Sequence, residues 1–191
     1  MQYVTYVDLI RTDLRKNSLL FNLISIITGS FFIAISAQVA IYLPFSPVPV
    51  TAQTFAVLLT GVLLGSKRGS LAVLLYLFEG FYGLPVFASG NSGFIYLAGP
   101  TGGYLLGFLP AAYICGLLAE YGWDRHFLTA LLVVFLGNII IYICGILWLS
   151  RFITGDKLLL LGFFPFMPGE IIKMVLATIL LPSGWKLLGK V

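Results

Sequence analysis

Charge is scarce in this sequence. Lys and Arg number 11 and Asp and Glu 7, together 9% of 191 residues, against about 25% in an ordinary globular domain. That is too few to cover a compact soluble surface. Histidine occurs once, at position 126, and cysteine twice, at 115 and 144, which excludes a disulfide scaffold and leaves no CxxC or HExxH pattern for a metal. The two cysteines fall within apolar runs and read as packing residues. There is no GxxxxGK[ST]. Gly65-Ser66-Lys67-Arg68-Gly69 lacks that spacing, so the chain has no P-loop with which to hydrolyse ATP. The basic residues are scattered rather than gathered in a patch, which excludes a nucleic-acid partner despite the net charge of +4.

What the sequence has instead is apolar mass. Apolar types make up 60% of it, above the roughly 45–50% of soluble domains. This composition implies an all-α membrane protein. A helix needs about 20 apolar residues to cross a bilayer core. The apolar runs predict six transmembrane helices near 21–43, 50–65, 69–82, 103–119, 128–150 and 168–187, in one integral membrane domain over 1–191. The second, third and sixth runs are short and predict tilted or partly buried spans.

Lys and Arg in the short loops set the orientation. With the N-terminus inside, Arg11, Arg15, Lys16, Lys67, Arg68, Arg125, Lys186 and Lys190 are inner, Arg151 and Lys157 are outer, and Lys173 lies within the last span. Both termini are therefore expected in the cytoplasm. Asp8, Arg11, Asp13, Arg15 and Lys16 in the first twenty residues argue against a cleavable signal peptide. Residues 1–19 read as a cytosolic or interfacial segment.

Three stretches are unusual for lipid-facing sequence. Pro44, Pro47 and Pro49, followed by Thr51 and Gln53, make a stiff loop between the first two spans. It reads as a pocket wall or as a plain turn. The loop over 83–102 is uncharged and rich in glycine. It is too apolar for disorder and too long to be idle. It is expected to fold back over the helix ends, as a binding lid or a structural cap, with Asn91, Ser92 and Thr101 as polar groups and Phe87, Phe94, Tyr96 and Tyr104 as aromatic surface.

The third stretch is Pro168-Gly169-Glu170-Ile171-Ile172-Lys173. Pro-Gly opens a helix, Glu170 suits its positive end, and Lys173 three residues on shares its face. The pair is either an ion pair that makes two charges tolerable or a ligand site, since intramembrane charge points to function. Asn138 in the fifth span reads as an interhelical hydrogen bond or a ligand contact. Together these residues suggest an outward cavity for a small, mostly apolar ligand with an anionic end and a neutral polar end. Lys173 would hold a carboxylate, and Glu170 or an Asn would accept N–H donors. An intramembrane enzyme using Glu170 and Lys173 would need a second catalytic group, which the sequence does not offer.

The run SPVPVTAQTFAVLLTGVLLGSKRGSLAVLLYLFEGFYGLPVFASGNSG, then GPTGGYLLGF and PGEIIK, resembles the BioY family over about residues 30–185. These are biotin-specific S components of energy-coupling factor (ECF) transporters. The resemblance implies six helices, capture of biotin at the outer face, and biotin uptake with an ECF transmembrane coupling subunit and two cytosolic ATPases. ATP would be used by those partners; no cofactor or metal is implied for this chain. The alternative is a solitary transporter or facilitator for biotin or another vitamin; the absence of an internal repeat speaks against it. The resemblance places Glu170 and Lys173 in the biotin site, with Asn91 and Tyr104 as further candidates; Asn138 and Gln53, singled out above as polar groups, are expected to join them as biotin contacts. It also implies the bacterial cytoplasmic (inner) membrane.

The sequence departs from the family pattern at two acids. PGEIIK carries Glu170 where the family pattern PGD-x-x-K has Asp, and Glu79 stands where the family is usually apolar. Family members dock through small residues four apart in the first helix. The candidates here are Ser30 with Ala34 and Ser36 with Ala40.

Overall fold

A computed structural model describes residues 5–11 and 18–189. Arg15, Lys16 and Lys190, assigned above to the inner side, lie outside the described residues, as do Asp13 and most of the 1–19 segment. The elements are α1 (Tyr6–Arg11), α2 (Ser18–Gln38), β1 (Ala40–Ile41), β2 (Val50–Thr51), α3 (Gln53–Leu64), α4 (Ser66–Phe81), α5 (Phe94–Ala98), α6 (Gly102–Glu120), α7 (Phe127–Leu149), α8 (Lys157–Gly162) and α9 (Met167–Leu187). The long helices pack against one another in one bundle.

Four stretches are long and apolar enough to cross a membrane: Leu19–Gln38, Gly102–Glu120, Phe127–Leu149 and Lys157–Leu187. At about 1.5 Å per residue, α3 with 12 residues and α4 with 16 fall short of the hydrocarbon thickness. Most of α3 is buried in the bundle, which explains why its apolar residues show no lipid-facing stripe.

The first long helix stops at Gln38, five residues before the apolar run ends. The backbone then pairs as a hairpin, Ala40 with Thr51 and Ile41 with Val50. Hydropathy cannot separate this apolar hairpin from helix, because both keep the same residues out of water.

Small residues bring the helices close. A Cβ on Gly61 would lie 2.5 Å from the Ala112 carbonyl oxygen, so α3 and α6 touch backbone to backbone there. The inward face of α2 carries Gly29, Ser30, Ile33, Ala34 and Ala37, while Ile24, Ile27, Phe31 and Ile35 face outward.

At one end of the bundle, α1 lies against the start of α4 and the end of α9. Asp8 pairs with Arg68 at 2.8 Å. Tyr6 donates its hydroxyl hydrogen to the Leu181 carbonyl. Its ring packs 4.3 Å from that of the buried Trp185, whose indole N–H donates to Asp124 at 2.6 Å. Burial raises the Asp8 carboxyl, but the Thr5 hydroxyl and the Arg68 guanidinium outweigh it and hold its pKa below the ordinary value. Asp124 is shifted the other way, raised by burial against the opposing Trp185 hydrogen bond.

At the opposite end, residues 82–101 cover the helix termini. Phe87 is the plug: it is fully buried, stacks on Tyr96 at 5.3 Å and meets Tyr76 edge-on at 5.6 Å. Gly80 makes room for it, since a Cβ there would sit 2.0 Å from the Phe87 ring. The cover is tied down by the Gly93 N–H on the Gly80 carbonyl at 2.7 Å and by the Trp148 indole N–H on the Gly99 carbonyl at 3.0 Å. The proline loop joins it, with the Ser46 hydroxyl donating to the Leu161 carbonyl in α8 at 2.8 Å.

Candidate functional site

Beneath this cover lies a narrow cleft of about 40 Å³. Its polar floor comes from the turn of chain that leads from β2 into α3. Thr51, Gln53 and Thr54 project there because the hairpin ends on them as the helix begins. Its walls are aromatic, with Tyr96, Tyr104, Tyr142 and Phe166 from four different segments. Tyr104 is held edge-on to Tyr142, ring centroids 6.0 Å apart, and donates to the Gly162 carbonyl at 2.7 Å. Gly145 permits this, because a Cβ there would lie 2.3 Å from the Tyr104 ring.

Glu170 and Lys173 stand on the first turns of α9, behind the cleft floor. Lys173 Nζ donates to the Thr51 carbonyl at 2.7 Å, to Thr54 Oγ1 at 2.8 Å and to Glu170 Oε1 at 2.5 Å. An ammonium has three hydrogens, so all three are engaged. The Thr54 hydroxyl in turn lies 3.0 and 3.1 Å from the two Glu170 oxygens and donates to that carboxylate. The side chains are 6% and 16% exposed for Glu170 and Lys173. Glu170 lines the cleft and Lys173 stands one layer behind it. Burying two charges is expensive unless each is paired and hydrogen-bonded, and this node meets that condition.

Gln53 is buried at the cleft floor; its amide donates to the Tyr76 hydroxyl and accepts from Thr51 Oγ1 at 3.0 Å. Asn91 is not beside the ion pair. It is exposed at the outer mouth, donating to the Ala88 carbonyl at 2.7 Å and the Tyr42 hydroxyl at 3.1 Å. The mouth shares Pro49, Tyr96 and Thr101 with the cleft and so opens into it. Burial pushes the Tyr96 hydroxyl up to about 12, which keeps it a neutral donor at the rim. Asn138 is buried in a separate groove between α7 and α9, which meets the cleft at Tyr142 and Glu170.

Of the expected docking residues, Ser30 is fully buried and Ala34 nearly so, so this pair packs within the bundle. Ser36 and Ala40 do not share a helix, because α2 ends at Gln38 and Ala40 belongs to β1. Ser30 instead serves an internal contact. Its hydroxyl donates to Glu79 at 2.6 Å, which gives the unexpected acid a partner between α2 and α4.

Thr54, Tyr142 and Phe166 escaped the sequence reading. Thr54 follows Gln53 in a polar first turn, and Tyr142 lies four residues after Asn138, on the same helical face. Those spacings were the available signals.

Comparison with known proteins turns this geometry into a family assignment. The BioY family matches residues 11–190. The chain belongs to the BioY family. The biotin transporter BioY of Thermotoga maritima is 41% identical over 153 residues, 80% of this chain and 89% of that protein. The biotin transporter BioY2 of Lactococcus lactis is 40% identical over 169 residues, 86% of this chain and 90% of the relative. A crystal structure of the S-component for biotin from an ECF-type ABC transporter superposes with a TM-score of 0.80 at 29% identity, covering 90% of this chain and 94% of the other. This BioY member therefore has an S-component fold, and the relatives are transporters, not enzymes.

Proposed function

We propose that this chain captures biotin at the outer face of a bacterial cytoplasmic membrane and delivers it to the cell. It acts as the substrate-binding subunit beside an ECF transmembrane coupling subunit and two cytosolic ATPases. The observation that carries this reading is the buried Glu170–Lys173–Thr54 node at the floor of a cleft walled by tyrosines. Biotin is an apolar thioether ring with a ureido group at one end and a carboxylate at the other. The cleft offers aromatic walls to the ring, a cation to the carboxylate and a carboxylate to the ureido N–H donors.

Because Lys173 is saturated by protein acceptors, an incoming carboxylate must displace one of them. Displacing Glu170 frees that side chain to accept an N–H from the ligand. Gln53 and Tyr104 shape the floor and wall, and Asn91 stands at the entrance.

In this reading all six long helices cross the membrane, α3 and α4 being short because the bundle buries much of them. Lys67, Arg68, Arg125 and Lys186 gather at the α1 end, which supports cytoplasmic termini. The coupling subunit then meets the outward, apolar face of α2. Uptake of labelled biotin by cells lacking their own transporters separates the two forms of the proposal. Uptake that requires the coexpressed coupling subunit and ATPases identifies an S component. Uptake by this chain alone identifies a solitary transporter. Uptake in neither case refutes both.

A further inference from the structure

We infer that Asn138 is a specificity-determining residue of the ligand site, its side-chain carbonyl accepting one ureido N–H while Glu170 serves the other. This rests on the biotin reading above and extends it into a second chamber.

The chamber is the groove between α7 and α9. It has a volume of about 450 Å³, is lined almost wholly by apolar groups such as Phe163, Met167 and Met174, and opens outward past the exposed Phe135, Ile143 and Leu147. Asn138 is 6% exposed, and its Oδ1 has no hydrogen-bond partner. A buried acceptor left unpaired is a standing penalty that a donor relieves. Asn138, unlike the other polar side chains of the site, is not satisfied by the protein: Glu170, Lys173, Gln53 and Tyr104 all have partners.

The chamber is not isolated. It shares Glu170 and Tyr142 with the cleft. Tyr142 stands between Phe163, at 5.2 Å edge-on, and Phe166, at 6.3 Å. Its ring stands where the two spaces meet. The occupant must then be mostly apolar, small enough to pass Tyr142, and equipped with an N–H donor. A lipid acyl chain matches the walls but has no donor for Asn138. The fused ring of biotin matches both, and its two N–H groups flank a carbonyl as two acceptors would require. A site built to satisfy a donor rejects analogues that lack it far more strongly than an apolar pocket rejects an extra methylene.

The test uses the full chain purified in detergent, titrated calorimetrically with biotin and with its two mono-N-methyl derivatives. Asn138→Leu removes the acceptor at similar volume. The expected result is at least tenfold weaker biotin binding by the variant, with one N-methyl derivative binding variant and wild type equally. Wild-type affinity for biotin in Asn138→Leu, as for a lipid-filled groove, overturns the inference. So does an equal loss for biotin and both derivatives, which would mark a structural residue. If Asn138→Leu does not fold, Asn138→Ser is read by the same criteria. Failure of the wild type to bind biotin overturns the transport reading as well, whereas binding without dependence on Asn138 overturns the inference alone.

Discussion

Replacing Lys173 by Met separates the structural and the binding roles of the buried ion pair. The substitution keeps the length of the stem and removes the ammonium that reaches Thr51, Thr54 and Glu170. Glu170, 6% exposed on its side chain, is left with the hydroxyls of Thr54 and Tyr142. Breaking a buried pair by removing one partner destabilises by about 3–5 kcal/mol. These surviving hydroxyl partners put this case at the lower limit. For a chain of this size, about 3 kcal/mol lowers Tm by roughly 6–12 °C. The double variant Glu170→Gln/Lys173→Met removes both charges and should recover at least half of that loss. Neither variant should bind biotin within tenfold of wild type, because a charge-assisted hydrogen bond is worth about 1.5–3 kcal/mol. Thermal unfolding in detergent and calorimetric titration read the two effects separately. An unchanged Tm in the single variant, or a double variant less stable than the single, refutes the reasoning about the pair. Unchanged affinity removes Lys173 from the site.

Three further outcomes follow from the same geometry. Glu170→Asp shortens the acid to the residue of the family pattern and should retain biotin binding; abolished binding would show a site shaped for the longer side chain. Gly80→Ala places a methyl group 2.0 Å from the Phe87 ring and should expel that plug, which limited proteolysis detects as faster cleavage within residues 83–99. Should cleavage be unaltered, Phe87 does not anchor the cover. Asp8 has a folded pKa below its unfolded value, so its contribution to stability is present above the ordinary carboxylate value near 3.9 and is lost as pH falls through the lower folded value. Asp8→Asn should therefore lower Tm at neutral pH and flatten its acid dependence, measured by unfolding at a series of pH values; an acid limb identical to wild type contradicts this.

The membrane character of the chain was legible because composition leaves no other solution for so few charges. The helical runs near 103–119 and 128–150 were legible for the same reason, and they are seen as α6 and α7. The hairpin at Ala40–Thr51 was not, since an apolar strand and an apolar helix have the same hydropathy. α8 was hidden by its brevity. Within the site, Glu170 and Lys173 stood out as charges in an apolar run. Thr54 and Tyr142 did not, because a hydroxyl in a membrane helix is common and only the fold brings them to one cleft. Asn91 was conspicuous for its glycine-rich surroundings, yet it lies at the mouth and not at the ion pair. Ser30 suggested docking by its spacing from Ala34, and spacing alone does not tell which face of a helix is turned inward.

Titration of the purified chain with biotin, followed by calorimetry or tryptophan fluorescence, tests the central claim most directly. Capture by a substrate-binding subunit predicts saturable one-to-one binding, in the nanomolar to low micromolar range typical of specific recognition, without ATP or added ions. No saturable binding by protein that unfolds cooperatively would contradict it, leaving the family fold in place and returning Glu170 and Lys173 to a purely structural ion pair.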